Sequence, residues 1–350
     1  MRQVHLVGSS PFRSADEAFE IFGKYLSECT TRFPDGETGE RVNWGTWQKR
    51  VLQDHPKFEV ADQIVSPRNP SRPFVKYKLK DGVDVRELSF GPLGYAEAAR
   101  ASFEAFKRKQ AEGRLPQGAR FQVSLPTPLC FTDMFFLDAS LRELIEPIYR
   151  SAMIDEVYQI SKIVPPHQLA IQWDVAVELH RLEKLYIDAR SAEDTTTADA
   201  KFEILVEGTT ELCNAVPAGA DLLIHLCYGD FGHRHTIEPP SLRLCTRVTN
   251  SVVARLRRPL DLVHMPVPRD RQDAEYFAPL SDIRISAKTK LCLGLIHLTD
   301  GLAGLHRRLD RANAVVHDFA IATECGMGRR PRESMDELLE LHRIAAQIAG

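Results

Sequence analysis

Three residues stand where a metal ion could be held. His225 and Cys227 close the apolar run DLLIHLCYG (221–229), and Cys325 closes DFAIATEC (318–325). Residues two apart on a strand project to the same side. His225 and Cys227 can therefore reach one ion, at Zn–N of roughly 2.0–2.1 Å and Zn–S of about 2.3 Å. One imidazole, two thiolates and an open position make a donor set suited to catalytic zinc. The plain alternative stands beside it, because free cysteine is often only a small buried hydrophobe. The remaining cysteines are Cys29, Cys130, Cys213, Cys245 and Cys292. An odd total, wide spacing and no CxxC argue against a disulfide framework and for a reducing, cytoplasmic setting.

Other polar groups fall where apolar runs stop. RFPDGETGERVNW (32–44) gathers Asp35, Glu37, Glu40 and Arg41 ahead of Trp44 and Trp47. Pro-Asp-Gly is turn chemistry, which accounts for Pro34–Gly36 but not for Glu37 or Arg41. Asp35, Glu37 and Arg41 are therefore candidates for binding substrate, the alternative being a solvated turn. LAIQWDV (169–175) supplies Trp173 as a candidate substrate contact and Asp174 as a catalytic candidate. His297, at the end of TKLCLGLIHL (289–298), suits a general acid or a structural histidine. Tyr228 and Asp230 follow the His-x-Cys pair as candidate pocket residues, and His233 and His235 fall in a loop after it. Arg329 and Arg330 suit an anionic group or a charged surface.

These positions need a scaffold that brings strand ends together. Strand-like runs recur at 4–8, 120–126, 169–175, 221–229, 260–267, 289–298 and 318–325, and one more has room to hide in 30–90. Helical patterns lie between them: SADEAFEIFGKYLSE with Ser14 as cap, SLRELIEPIYRSAMIDEVYQIS with a kink or break at Pro147, DAKFEILVEGTTELCNAV, and SMDELLELHRIAAQIA. Alternation of strand and helix gives parallel βα units, and eight would close a (β/α)8 TIM barrel whose strand ends carry the chemistry. The rival, an open doubly wound sheet, normally starts with a Gly-rich phosphate turn; this chain has GSSPFRS instead. One α/β domain over 1–350 is expected, with a hairpin or loop inserted near 55–90. The formal net charge of −3, from 45 Lys+Arg against 48 Asp+Glu, points away from nucleic acid. No apolar run reaches membrane-spanning length, and no secretory signal opens the chain.

Three stretches, IQWDVAVEL (171–179), HLCYGDF (225–231) and ATECGMGRR (322–330), resemble the uroporphyrinogen decarboxylase and methionine synthase-like barrel superfamily. The likeness is to the catalytic C-terminal barrel of cobalamin-independent methionine synthase, over about 165 to 335. It implies Zn2+ held by His225, Cys227 and Cys325. Two positions depart from the pattern. Where the family places a ligating glutamate this chain has Pro266; His264, two residues earlier, is either a substitute ligand or a core histidine. Asp174 is kept, but Val175 replaces the glutamate that contacts the amine of homocysteine, so another thiol is expected.

The implied function is a zinc-dependent methyl or alkyl transferase acting on a thiol. Its partners are a small-molecule thiol, an alkyl donor or methyl-carrier protein, and further copies in a homo-oligomer, with neither nucleic acid nor membrane. The length leaves no room for the second barrel of methionine synthase. Two rivals remain: a metal-free lyase or decarboxylase using Asp35, Glu37, Arg41 and Asp174, and a non-catalytic barrel that binds thiol or zinc.

Overall fold

Parallel pairing runs through one curled sheet in a computed structural model that describes residues 1–66, 69–192, 195–229 and 235–348. Its strands are β1 (Arg32–Pro34), β4 (Arg120–Pro126), β5 (Leu169–Val175), β6 (Asp221–Leu226), β7 (Leu262–Pro266), β8 (Lys290–Ile296) and β9 (Phe319–Thr323), side by side in that order. Helices separate most consecutive strands. Between β1 and β4 come β2 (Phe58–Ser66) and β3 (Asn69–Leu79), paired antiparallel in a separate ladder. This is the hairpin expected near 55–90.

The N-terminal segment fills the eighth place. Val4 bridges Ile321 of β9, with His5 N–H donating to the Ile321 carbonyl at 2.9 Å. On its other side, Val4 N–H donates to Cys29 O at 2.8 Å, just before β1. The run 4–8 makes one bridge rather than a full ladder, and a reason is visible. The side-chain amides of Gln122 and Gln172 donate to the carbonyls of Leu6 and Val7 at 2.9 and 2.6 Å. Polar side chains inside the barrel thus satisfy backbone groups that a ladder would otherwise pair. The strand hidden in 30–90 is β1, only three residues long.

Two apolar layers follow from the alternation of strand side chains. Val7, Ala170, Leu223, Leu262, Cys292, Ala320 and Ala322 form a small cluster within the ring. Ile171, Trp173 and Val175 belong to the larger core that includes the helices. Even-numbered residues of β5 therefore face inward and odd-numbered ones outward, which decides what can reach the barrel mouth.

Local signals place the helices. Ala15–Leu26 starts at Ser14, whose Oγ accepts from Glu17 N–H at 3.2 Å. Pro147 does not break its helix, which runs Ala139–Ile163. The buried stripe Ile145, Tyr149, Ala152, Met153 and Val157 holds that helix to the core, so packing outweighs the lost hydrogen bond. No helix among the described residues is long and apolar enough to cross a membrane.

Candidate metal centre and cleft

The ends of β6 and β9 bring the soft donors together. Cys227 continues the β6 pattern through its N–H bond to Val175 O at 2.9 Å, so it shares the inner face with His225. Its Sγ lies 3.6 Å from Cys325 Sγ. The ligand atoms of His225, Cys227 and Cys325 all fall within 4.8 Å of one another. Two sulfurs on one tetrahedral zinc, at about 2.3 Å each, stand about 3.8 Å apart. The donor set and its spacing therefore fit zinc. His225 and Cys227 are buried and Cys325 is partly open, so the remaining position faces a cleft.

His264 stands behind His225, its register partner on β7. Its Nε2 is 3.0 Å from the Thr323 carbonyl and its Nδ1 is 2.6 Å from Nδ1 of His225. A carbonyl only accepts, so Nε2 of His264 carries the proton and its Nδ1 accepts. His225 must then donate from Nδ1, which leaves a lone pair on Nε2 for a metal. Burial holds His264 down to about 3, so it is neutral, as this network requires. Burial, then His264, His5 and His235, keep His225 well below the ordinary histidine range. Both nitrogens of His264 are engaged, and the three-residue donor group does not include it. It is placed to hold the ring of His225 and lies outside the three-residue group.

The cleft has a volume of about 1120 Å³ and is lined by His225, Cys227 and Cys325 together with Glu37, Trp44 and Asp174. The hairpin covers part of it through Gln63, Ile64 and Lys76. Lys76 is pushed down to about 8, mainly by burial, and donates to the Met134 carbonyl at 2.6 Å.

A second cluster faces the soft donors. Asp35 accepts from Arg41 and Ser102, each at 2.6 Å, and from Glu37 N–H at 2.8 Å. Burial acts to raise its pKa, but Arg41 and these bonds hold it below the usual carboxylate value. Asp174 accepts from Gln172 Nε2 at 2.8 Å and Trp44 Nε1 at 3.0 Å. Burial nonetheless pushes it up to about 7. Glu37 is pushed well above its ordinary value by burial and then by Asp174 and Asp35. The loop that carries this cluster is strained, with φ of +48° at Glu37 and +35° at Trp44. Non-glycine residues in such conformations often mark functional sites.

Several sequence candidates lie elsewhere. Trp173 is fully buried on the outer face of β5 and does not line the cleft. Tyr228 also points outward, its hydroxyl donating to Glu183 Oε2 at 2.9 Å. Arg41 is paired with Asp35 and anchors the loop. Asp230 and His233 lie outside the described residues. His297 is 3% exposed and off the cleft wall. Its Nε2 donates to Val267 O at 2.8 Å and its Nδ1 is 3.7 Å from Glu324 Oε1. Burial holds it down to about 3, so it is a neutral, enclosed ring rather than an acid at the mouth. His235 sits on the other side of Glu324, at 3.4 Å. Trp44 and Gly8 are cleft residues that the sequence reading did not assign to the site. Trp44 stood in the loop already singled out; nothing marked Gly8.

No known family model matches the chain, and no curated protein matches it. Solved structures do. A B12-independent methionine synthase from Shewanella sp. W3-18-1, in complex with selenomethionine, superposes with a TM-score of 0.59 at 15% identity, covering 95% of this chain and 87% of that one. A methyltransferase from Methanosarcina mazei superposes with a TM-score of 0.52 at 10% identity, covering 99% and 94%. The chain thus shares the barrel fold of these two structures, with a candidate metal centre at the strand ends, where (β/α) barrels place their chemistry.

Proposed function

We propose that the chain is a zinc-dependent methyl or alkyl transferase that activates a thiol. One observation carries the reading: His225, Cys227 and Cys325 converge within 4.8 Å at the floor of a substrate-sized cleft. Zinc bound there would hold an added thiol as a thiolate at neutral pH. The chain's own residues do the rest. His264 fixes the ring of His225 through a hydrogen bond. The hairpin supplies part of the cleft wall, and such enclosure would help exclude water and hold two substrates in line. The barrel shared with a methionine synthase and a methyltransferase supports group transfer. The absence of a β5 carboxylate beside Asp174, where Val175 is buried outward, favours a thiol other than homocysteine.

The buried pair Glu37 and Asp174 favours a second reading, a metal-free lyase or decarboxylase of the same barrel class. Metal analysis separates the two. One equivalent of zinc in the purified wild type, lost in folded C227S and C325S variants, is the expected result. A metal-free wild type that still turns over substrate establishes the second reading instead.

A further inference from the structure

We propose that Glu37 is the acid that protonates the leaving atom of the alkyl donor, which makes that donor a neutral N-alkyl or O-alkyl compound and not an onium ion. This deepens the transferase reading and rests on it.

The partners of the three carboxyls carry the argument. Asp35 has three donors and Asp174 has two. The carboxyl of Glu37 has none among the described residues, although the residue is only 8% exposed and lines the same cleft as the soft donors. Buried polar groups are almost always paired, so one left over at a cleft wall is available to a ligand. The chain adopts unusual geometry to put it there. Glu37 holds a positive φ, fixed by its N–H bond to Asp35. Gly8 leaves the space for it, since a Cβ at Gly8 would come within 2.4 Å of Glu37 Oε1.

The charges around Glu37 decide its form. Asp174 and Asp35 oppose its ionisation, and Arg41 and Arg329 favour it, but Arg41 is already bonded to Asp35. Burial is the largest influence and acts with the first pair, so the balance is pushed toward the protonated carboxyl. Its reach is suitable. Asp174, which acts on it directly, is the register partner of His225, and neighbouring strands lie about 4.8 Å apart. Acid and soft donors thus flank a space of substrate size.

The step balances as follows. The thiolate sulfur attacks the alkyl carbon, and the S–C bond forms as the C–N or C–O bond breaks. The bonding electron pair goes to nitrogen or oxygen, which takes the proton of Glu37. The proton lost earlier by the thiol restores Glu37. The sum is a thiol plus N- or O-alkyl donor giving a thioether plus amine or alcohol. Without the acid, the leaving atom departs as an amide or alkoxide ion. An onium donor leaves neutral and needs no acid.

The test uses the full zinc-loaded chain with mercaptoethanol as the probe thiol. Infrared difference spectra of wild type against E37Q at neutral pH should show a protonated-carboxyl band that only the wild type has. No such band means that Glu37 is ionised and serves to hold a cation, which overturns the proposal. Should E37Q fail to fold, E37D must retain the band. For rates, E37Q should slow transfer from a tertiary N-methylamine or an aryl methyl ether by roughly 10²–10⁴-fold more than it slows S-methylation by iodomethane. Equal slowing with both kinds of donor overturns it. If the wild type shows no zinc-dependent methylation of the thiol even by iodomethane, the transferase reading itself has failed, and the proposal with it.

Discussion

The two walls of the cleft are built by opposite means. The soft wall is set by strands: His225 lies within β6 with its register fixed on both sides, and Cys227 and Cys325 follow just beyond the ends of β6 and β9. The carboxyl wall, with Glu37, Asp174 and Trp44, depends on a loop with two non-glycine residues at positive φ. Strands make the first wall stiff with no local strain. The second needs outside support: Arg41 and Ser102 grip Asp35, and Gly8 makes way for Glu37. Ligands for an ion must be stiff and pre-set, whereas an acid needs an unusual environment, and strain is one way to hold it there.

Experiments that hit one wall and spare the other sharpen this contrast. The largest effect is expected from C227S or C325S, which should abolish metal binding and leave the fold intact; metal analysis with circular dichroism checks it. Should both variants keep their full metal content, the soft wall has been misread. H264A removes only the partner of His225 Nδ1 and should weaken zinc affinity about 10–100-fold, measurable by chelator competition. G8A strikes the other wall. It should displace Glu37 and cost about 1–3 kcal/mol of stability by urea denaturation, with metal content unchanged; lost metal would mean that the walls are not independent.

The walls should also respond to pH with opposite sign in the metal-free protein. Folded Asp174 holds its proton to about 7 while the unfolded chain loses it near 3.8. The folded state thus binds more protons in that window, and this group's contribution to stability falls as pH rises. Folded His264 gains a proton only near 3, against 6.5 when unfolded, so its contribution rises with pH across that range. Denaturation of D174N between these limits should lose the falling component; an unchanged profile argues that Asp174 is not the group. The smallest effect belongs to W44F, which deletes one bond to Asp174. Because that bond lowers the Asp174 pKa, its loss should move the value above about 7, as an infrared titration of the carboxyl would show.

The contrast also explains what could be read from the sequence. Strand ends were legible because apolar runs, alternation and residue type all speak at once: β4 and β5 have the limits expected, and the His-x-Cys pair shares a face. The strand Arg32–Pro34 was less so because it is only three residues long, and the single bridge at Val4 because glutamine side chains do the work of a ladder there. Among tryptophans the sequence favoured Trp173, beside Asp174 in the chain, yet alternation turns it outward and a distant loop supplies Trp44. His264 was legible as a neighbour of the site but not as the support of His225, since that depends on the β6–β7 register and on Thr323. No residue preference announces a glutamate at positive φ.

The closure at Val4 has a consequence in time. Its strand partner, Ile321, is made long after Val4, and Gly8, which admits Glu37, lies four residues further along the same segment as Val4. Early-made residues must therefore wait for the late-made strand before the ring shuts, and contacts so distant in sequence form slowly. The carboxyl wall should take shape only once β9 has been made, after most of the barrel around it has already folded.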